Sequence, residues 1–305
     1  MGDAAIASLP WRGPGEGRPE DLPLPPARMP LRYHGATRKR WRYVGAYCEE
    51  LMLCAARVQV GPLGQTFWAI WDRAEGELIE RTVTRLPGSR GQVWTENEAG
   101  EAIPRAPDEG CTVRIEASHP DAGPVRGFLR FGGGEWVESV CPNGEGGFVW
   151  TRKRAGGAVA CDLRIGERRL EVEARGIEDE SAGYHPRHTV WSWSAGVGEL
   201  LDGRSVAWNL VEGVNDPPER SERGIWVDGV PGEPGPVVFD GLRAIGFDDG
   251  ARMTFTGECE RTKAEDRLVM RYSYRQPFGT FAGTLPGGLQ LARGLGVMEH
   301  HDAVW

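Results

Sequence analysis

Two adjacent acids and two histidines share one stretch of this chain: Asp179-Glu180, then Gly183-Tyr184-His185-Pro186-Arg187-His188. A carboxylic acid at the mouth of an apolar cavity has its pKa raised, because desolvation disfavours the charged form. Such an acid can protonate an alkene or an enol near neutral pH. The plainer reading is a surface acid pair that caps a turn or bonds Arg187. Glu299-His300-His301 offers a second group of the same residue types. Residues three apart on a strand face opposite ways, and Pro186 favours a loop. The histidines therefore read as hydrogen-bonded surface residues, and no metal ion is expected. Trp191 and Trp193 share one strand face and, with Tyr184, could wall an apolar ligand or simply pack a core. Arg187, Asn209, Asn215, Glu222 and Arg223 could orient a ligand head group or tie loops together. For Glu222 and Arg223, just before Asp228-Gly229, the structural role is favoured.

The elements that must position these residues are strands. From Trp41 onward the dominant period is two: Val113, Ile115 and Ala117 alternate with Arg114, Glu116 and Ser118, and Leu268, Met270, Tyr272 and Tyr274 with Arg271 and Ser273. Hairpin signals separate such runs, among them Asn143-Gly144, Gly166-Glu167, Asp202-Gly203, Asp228-Gly229, Asp249-Gly250 and Pro286-Gly287-Gly288. No window carries a sustained helical stripe. Residues 1–30, rich in proline and glycine, read as an extended arm. The chain also repeats itself. Arg154 is followed after 22 residues by Gly176-Ile177, and Arg275 after 21 by Gly296-Val297. Three residues beyond each glycine stands an acid, Asp179 in one copy and Glu299 in the other. Trp41-x-Tyr43 matches Trp191-x-Trp193 in the same sense. Similarity over this length points to a duplicated barrel.

Composition narrows the partners. With 36 basic against 44 acidic residues, the net charge of −8 argues against nucleic acid. Thr-Arg-Lys-Arg occurs at 37–40 and 151–154, yet each is a short basic cluster in an acidic chain. Only Lys39, Lys153 and Lys263 are lysines. The six cysteines form no C-x-x-C pair, which fits free thiols in a reducing compartment. Neither a signal peptide nor a bilayer-spanning apolar run is visible, so a soluble cytoplasmic protein without integral membrane association is expected. No dinucleotide fingerprint, phosphate loop or nucleophile elbow occurs, and no cofactor is expected. The oligomeric state is left open.

Several longer motifs are distinctive. They are Asp179 to Trp193, Trp208-Asn209-Leu210-Val211-Glu212-Gly213-Val214-Asn215-Asp216, Ser221 to Gly229, Cys141-Pro142-Asn143-Gly144, and the run Gly296 to Trp305. Together they resemble the bacterial domain-of-unknown-function family 2804, from roughly Arg38 onward, with the leader outside. That family resembles, more distantly, the double-calycin proteins: carotenoid 1,2-hydratases, tocopherol cyclase, certain Diels–Alder cyclases and lipid-handling survival factors. The resemblance implies an apolar ligand in or between two adjacent barrels, and supplies no catalytic residues by itself.

The expected fold is all-β: two tandem calycin/lipocalin-like antiparallel barrels, 31–182 and 183–305, behind the arm 1–30. The first expectation for function is binding of an apolar small molecule, a lipid, polyketide or isoprenoid. The alternative is an acid-catalysed isomerase, hydratase or cyclase with Asp179 or Glu180 as proton donor and Glu299 as a further catalytic candidate. Ligand contacts are expected from Tyr184, His185, Arg187, Trp191, Trp193, Asn209, Asn215 and His300.

Overall fold

The computed structural model describes residues 6–85, 92–97, 110–267 and 270–305. Leu268, at the head of the expected Leu268–Tyr274 alternation, lies outside them. Among the described residues the regular elements are antiparallel strands and one 3-10 turn at Pro286–Gly288, apart from the helical residues Ile6 and Ala7. No helix there is long and apolar enough to cross a membrane.

The first sheet opens with the arm strand β1 (Trp11–Arg12), and a ribbon of β2 (Arg32–Tyr33) and β3 (Ala36–Thr37) follows. A meander comes next: β4 (Lys39–Tyr47), β5 (Leu51–Val60), β6 (Leu63–Asp72) and β7 (Glu77–Arg85). It continues through β8 (Val93–Asn97), β9 (Cys111–His119), β10 (Gly123–Phe131), β11 (Val137–Pro142), β12 (Phe148–Ile165) and β13 (Arg168–Gly183). The second sheet holds β14 (His188–Leu200), β15 (Ser205–Glu212), β16 (Gly224–Val227), β17 (Val230–Gly232) and β18 (Val237–Asp240). It ends with β19 (Ala244–Phe247), β20 (Arg252–Arg267), β21 (Met270–Leu285) and β22 (Leu289–Val304).

Period-two patterning makes these strands. Along β9, Cys111, Val113 and Ile115 are buried while Arg114 and Glu116 face water. The expected hairpins close where the dipeptides stand. At Asp228-Gly229 both residues have positive φ, 48° and 81°, which matches the twist of the flanking strands.

The two sheets are curled barrels of the calycin type and run in the same order. One is β7-β6-β5-β4-β13-β12-β10-β9-β8, the other β17-β16-β15-β14-β22-β21-β20-β19-β18. In each, the first long strand pairs with the last, and the register is also the same. Asp179 faces Tyr43 and Ser181 faces Trp41; Glu299 faces Trp193 and His301 faces Trp191. The glycines of the sequence repeat have a steric reason. A Cβ on Gly176 would collide with the carbonyl of Gly45, and one on Gly296 with the carbonyl of Ala195. Those two carbonyls again occupy matching places.

Three cores follow from this arrangement. Val44, Trp68, Val113 and Leu129 fill the first barrel, and Trp208, Ile245, Phe255 and Phe281 fill the second. Between the barrels, Tyr43, Met52 and Ile177 pack on Trp193, Val211 and Val297. The arm lies over the first barrel, where β1 pairs with β11 and Trp11, Leu22 and Leu24 cover Trp150 and Tyr184.

Candidate functional site

Strand alternation decides which acids reach the junction. On β13, Ile177 and Asp179 point between the barrels, whereas Glu178 and Glu180 point into the first barrel beside Arg42. On β22, Leu295, Val297, Glu299 and His301 share the junction face, and Met298 belongs to the second core. The two faces line a partly open cavity of about 200 Å³. Its wall includes the rings of Trp41, Tyr43, Phe67, Trp191, Trp193 and Tyr274, with Asp179 and Glu299 among its polar groups.

Asp179 is held by a cation. The Lys153 Nζ lies 2.5 Å from Asp179 Oδ1 and 3.4 Å from Glu222 Oε1, with the lysine side chain only 2 % exposed. Burial opposes the ammonium charge, but the two carboxylates hold its pKa above the usual lysine value. Burial also pushes the Glu222 carboxyl up, Lys153 opposes this, and nearby Asp179 adds to it. Asn215 Nδ2 donates to Glu222 Oε2 at 3.0 Å. The loop from Asn215 to Arg223 is fixed from within and from outside. The Arg223 guanidinium donates to the carbonyls of Asp216, Pro217 and Pro218. Arg12 of the arm donates to the carbonyls of Ser221 (2.5 Å) and Arg223 (2.8 Å).

Glu299 is held by neutral donors instead. Trp191 Nε1 donates to its Oε1, and Gln276 Nε2 to its Oε2, both at 2.9 Å. Gln276 is oriented by Arg261, whose Nη1 donates to the amide oxygen at 3.3 Å and to the Tyr274 hydroxyl at 3.0 Å. Arg261 in turn pairs with Glu80 at 2.6 Å. Because a guanidinium only donates, the Gln276 oxygen must face it and the amide N–H must face Glu299. Burial raises the Glu299 pKa to about 7; Asp179 adds to the rise, and the bonds from Trp191 and Gln276 resist it. Beside it, burial drives His301 down to about 3, so its ring is neutral near pH 7. That ring lies against Trp191, tilted by 32° with 4.1 Å between centroids.

Of the residues expected at a site, Asp179, Trp191, Trp193, Asn215 and Glu299 line this cavity, and the others do not. Glu180 was expected beside Asp179 at a strand end, but β13 runs on to Gly183 and adjacent residues face opposite ways. It pairs with Arg40 and Arg152 at 3.1 Å each. Tyr184 is buried under the arm, donating to the carbonyl of Pro30 at 2.8 Å. His185, expected at the surface, is 3 % exposed and lies behind Trp41. Arg187 is exposed. His300 is exposed as well, since it follows Glu299 on the strand and turns outward; its Nδ1 lies 3.3 Å from Ser192 Oγ. Asn209 stands one layer back, accepting from Trp193 Nε1 at 2.9 Å and donating to the carbonyl of Glu222.

Sequence reasoning passed over Lys153, Arg261 and Gln276, and gave Glu222 a structural role although it lines the cavity. Lys153 sits in the second Thr-Arg-Lys-Arg cluster, which turns inward. All three lysines of the chain gather here: Lys153 and Lys263 line the cavity, and Lys39 lies 4.9 Å from the ring of Trp305, another wall residue.

Comparison with known proteins agrees with the architecture. The family described as Domain of unknown function (DUF2804) matches residues 26–305, beginning earlier than the motifs alone suggested. No curated protein matches the chain. Among solved structures, kievitone hydratase from Nectria haematococca is 9 % identical with a TM-score of 0.52, covering 88 % of each chain. A protein described as AttH from Nitrosomonas europaea is 14 % identical with a TM-score of 0.48, covering 92 % of this chain and 98 % of the other. CghA bound to Sch210972 is 10 % identical with a TM-score of 0.48, covering 97 % and 98 %.

Proposed function

The chain belongs to the domain-of-unknown-function family DUF2804, and from that premise we propose that it is an acid catalyst of the hydratase, isomerase or cyclase type. Its substrate is an unsaturated, largely apolar small molecule held between the barrels, and Glu299 rather than Asp179 or Glu180 is the proton donor. One observation carries this reading: Glu299, buried on the cavity wall, keeps its proton up to about pH 7. A general acid works best with a pKa near the working pH.

In the reaction, Glu299 gives its proton to one alkene carbon, and the π electron pair forms the new C–H bond. The neighbouring carbon is left cationic, where indole faces such as those of Trp191 and Trp193 stabilise it. A second alkene can first add to the cation and pass the charge to its own far carbon. The final cation then either takes up water, which sheds a proton, or loses a proton from an adjacent carbon, and that proton returns to the Glu299 carboxylate. Asp179, ion-paired with Lys153, supplies negative charge across the cavity. The shared fold with kievitone hydratase supports the reaction class without naming a substrate for this chain.

The test is proton transfer itself. Protein in D2O is offered isoprenoids, polyenes and prenylated phenols, and mass spectrometry reads deuterium in the recovered compounds. A responsive compound is expected to gain deuterium, with Glu299→Gln about 100-fold slower or worse at little changed affinity. Undiminished exchange in Glu299→Gln removes Glu299 from the mechanism. Simple carriage of an apolar ligand is the second reading, favoured by the aromatic wall; it predicts binding with no exchange in the wild type.

A further inference from the structure

Three polar atoms near Glu299 have no hydrogen-bond partner among the described residues: His301 Nε2, the Tyr272 hydroxyl and Trp305 Nε1. All three side chains line the cavity. The His301 ring lies 6.0 Å from the Tyr272 ring and 6.2 Å from the Trp305 ring, measured between centroids. Tyr272 is 8 % exposed, so its hydroxyl is cut off from bulk water. Trp191, Trp193 and Tyr274 of the same wall are satisfied by Glu299, Asn209 and Arg261, and the Tyr43 hydroxyl is the one other unpartnered hydroxyl on the wall among the described residues.

An enclosed polar group without a partner costs about 1–3 kcal/mol, so three in one corner require an explanation. Their chemistry specifies one. An indole N–H only donates, a phenol both donates and accepts, and a neutral imidazole has one donor and one acceptor nitrogen. His301 is neutral near pH 7, because burial outweighs the pull of Asp302. The corner therefore offers donors and an acceptor but no net charge. A carboxylate or phosphate would find no cation among these three groups, and the nearby lysines are already engaged: Lys39 by the carbonyls of His185 and Pro186, and Lys263 by Glu265. A carbonyl oxygen has two lone pairs and would serve at most two of the three atoms. A hydroxyl, with one hydrogen and two lone pairs, uses both kinds.

We infer that His301, Tyr272 and Trp305 form a subsite for a hydroxyl group on the ligand, so that the substrate is an apolar alcohol or phenol. This rests on the cavity of the proposed function and narrows its substrate class.

The experiment compares 4-phenylphenol with its methyl ether by titration calorimetry. The wild type is expected to bind the phenol about tenfold more tightly, roughly one charge-neutral hydrogen bond. In Tyr272→Phe and His301→Leu that preference should fall to about threefold or less. Tyr272→Phe deletes a hydroxyl with no partner among the described residues, so its melting temperature should hold or rise; a structural role would lower it. Equal affinities in the wild type overturn the subsite, leaving those atoms to water. A preference that survives both substitutions overturns it too, as does one lost only in Glu299→Gln. None of these results touches the deuterium experiment, so the subsite and the acid catalyst stand or fall separately.

Discussion

Asp179 and Glu299 occupy the same place in two sheets of the same strand order, and they meet opposite surroundings. Asp179 faces Tyr43 on one neighbouring strand and Lys153 on the other. Glu299 faces Trp193 on β14, while on β21 its hydrogen-bond partner is Gln276, next after the Arg275–His300 pair. A cation in the first case and an amide in the second separate the two acids: one is an ion pair, and the other is pushed up to about 7 by burial. Matching topology fixes where a side chain stands. A single cross-strand neighbour decides whether it carries charge, and that division sets a carboxyl of raised pKa opposite an ion-paired carboxylate in one cavity.

The sharpest way to break this comparison is to remove each partner. Lys153→Met strands two buried carboxyl groups and is expected to cost about 3–5 kcal/mol in urea denaturation. Gln276→Leu leaves a neutral acid short of one bond and should cost about 1–3 kcal/mol. Equal losses would mean the two acids are not differently charged.

Stability against pH gives the next largest effect. Glu299 titrates at about 7 in the fold against 4.5 for an ordinary glutamate, so the native state holds the proton more tightly. Its contribution to stability is full below 4.5 and is lost as pH rises to about 7, a span on the order of 3 kcal/mol. His185 and His301, both lowered to about 3 by burial, act the other way: their contribution is present above 6.5 and lost as pH falls toward 3. Glu299→Gln should therefore be more stable than the wild type at pH 8 and keep only the acid-side loss. Denaturant midpoints from pH 4 to 9 measure both limbs.

A smaller change sharpens the contrast from the Glu299 side. Trp191→Phe removes a bond that favours the carboxylate, so the Glu299 pKa should rise above about 7. NMR titration of the labelled side chain would reveal it; an unmoved or falling value would deny Trp191 that part. The smallest effect is expected from Arg12→Ala. Loss of its bonds to the 221–223 backbone should cost about 1 kcal/mol. Amide exchange should quicken in residues 213–223, which carry Glu222, and stay unchanged in β22.

Much of this plan was legible in the chain. Alternation gave the strands, the turn dipeptides gave the hairpins, and the Arg-to-Gly repeat placed Asp179 and Glu299 at matching positions. Trp191 and Trp193 were readable because a period of two puts them on one face. Lys153 was masked by its neighbours: among Arg152 and Arg154 it looks like surface charge, although strand alternation turns it toward Asp179 and its neighbours away. Gln276, Arg261 and Glu80 carry no local mark, since their roles exist only where β21, β20 and β7 come together. Glu180 misled for the converse reason, being beside Asp179 in the chain and on the opposite face of the strand.

By itself, then, the sequence determined the all-β class, the doubled strand pattern and the equivalence of two acids, because side-chain period and turn chemistry are local properties. Only the tertiary structure decided that each barrel is filled by its own side chains and that the cavity lies between them. It also decided that one acid keeps a lysine while the other keeps its proton. Burial and cross-strand partners set charge, and both come from residues far apart in the chain.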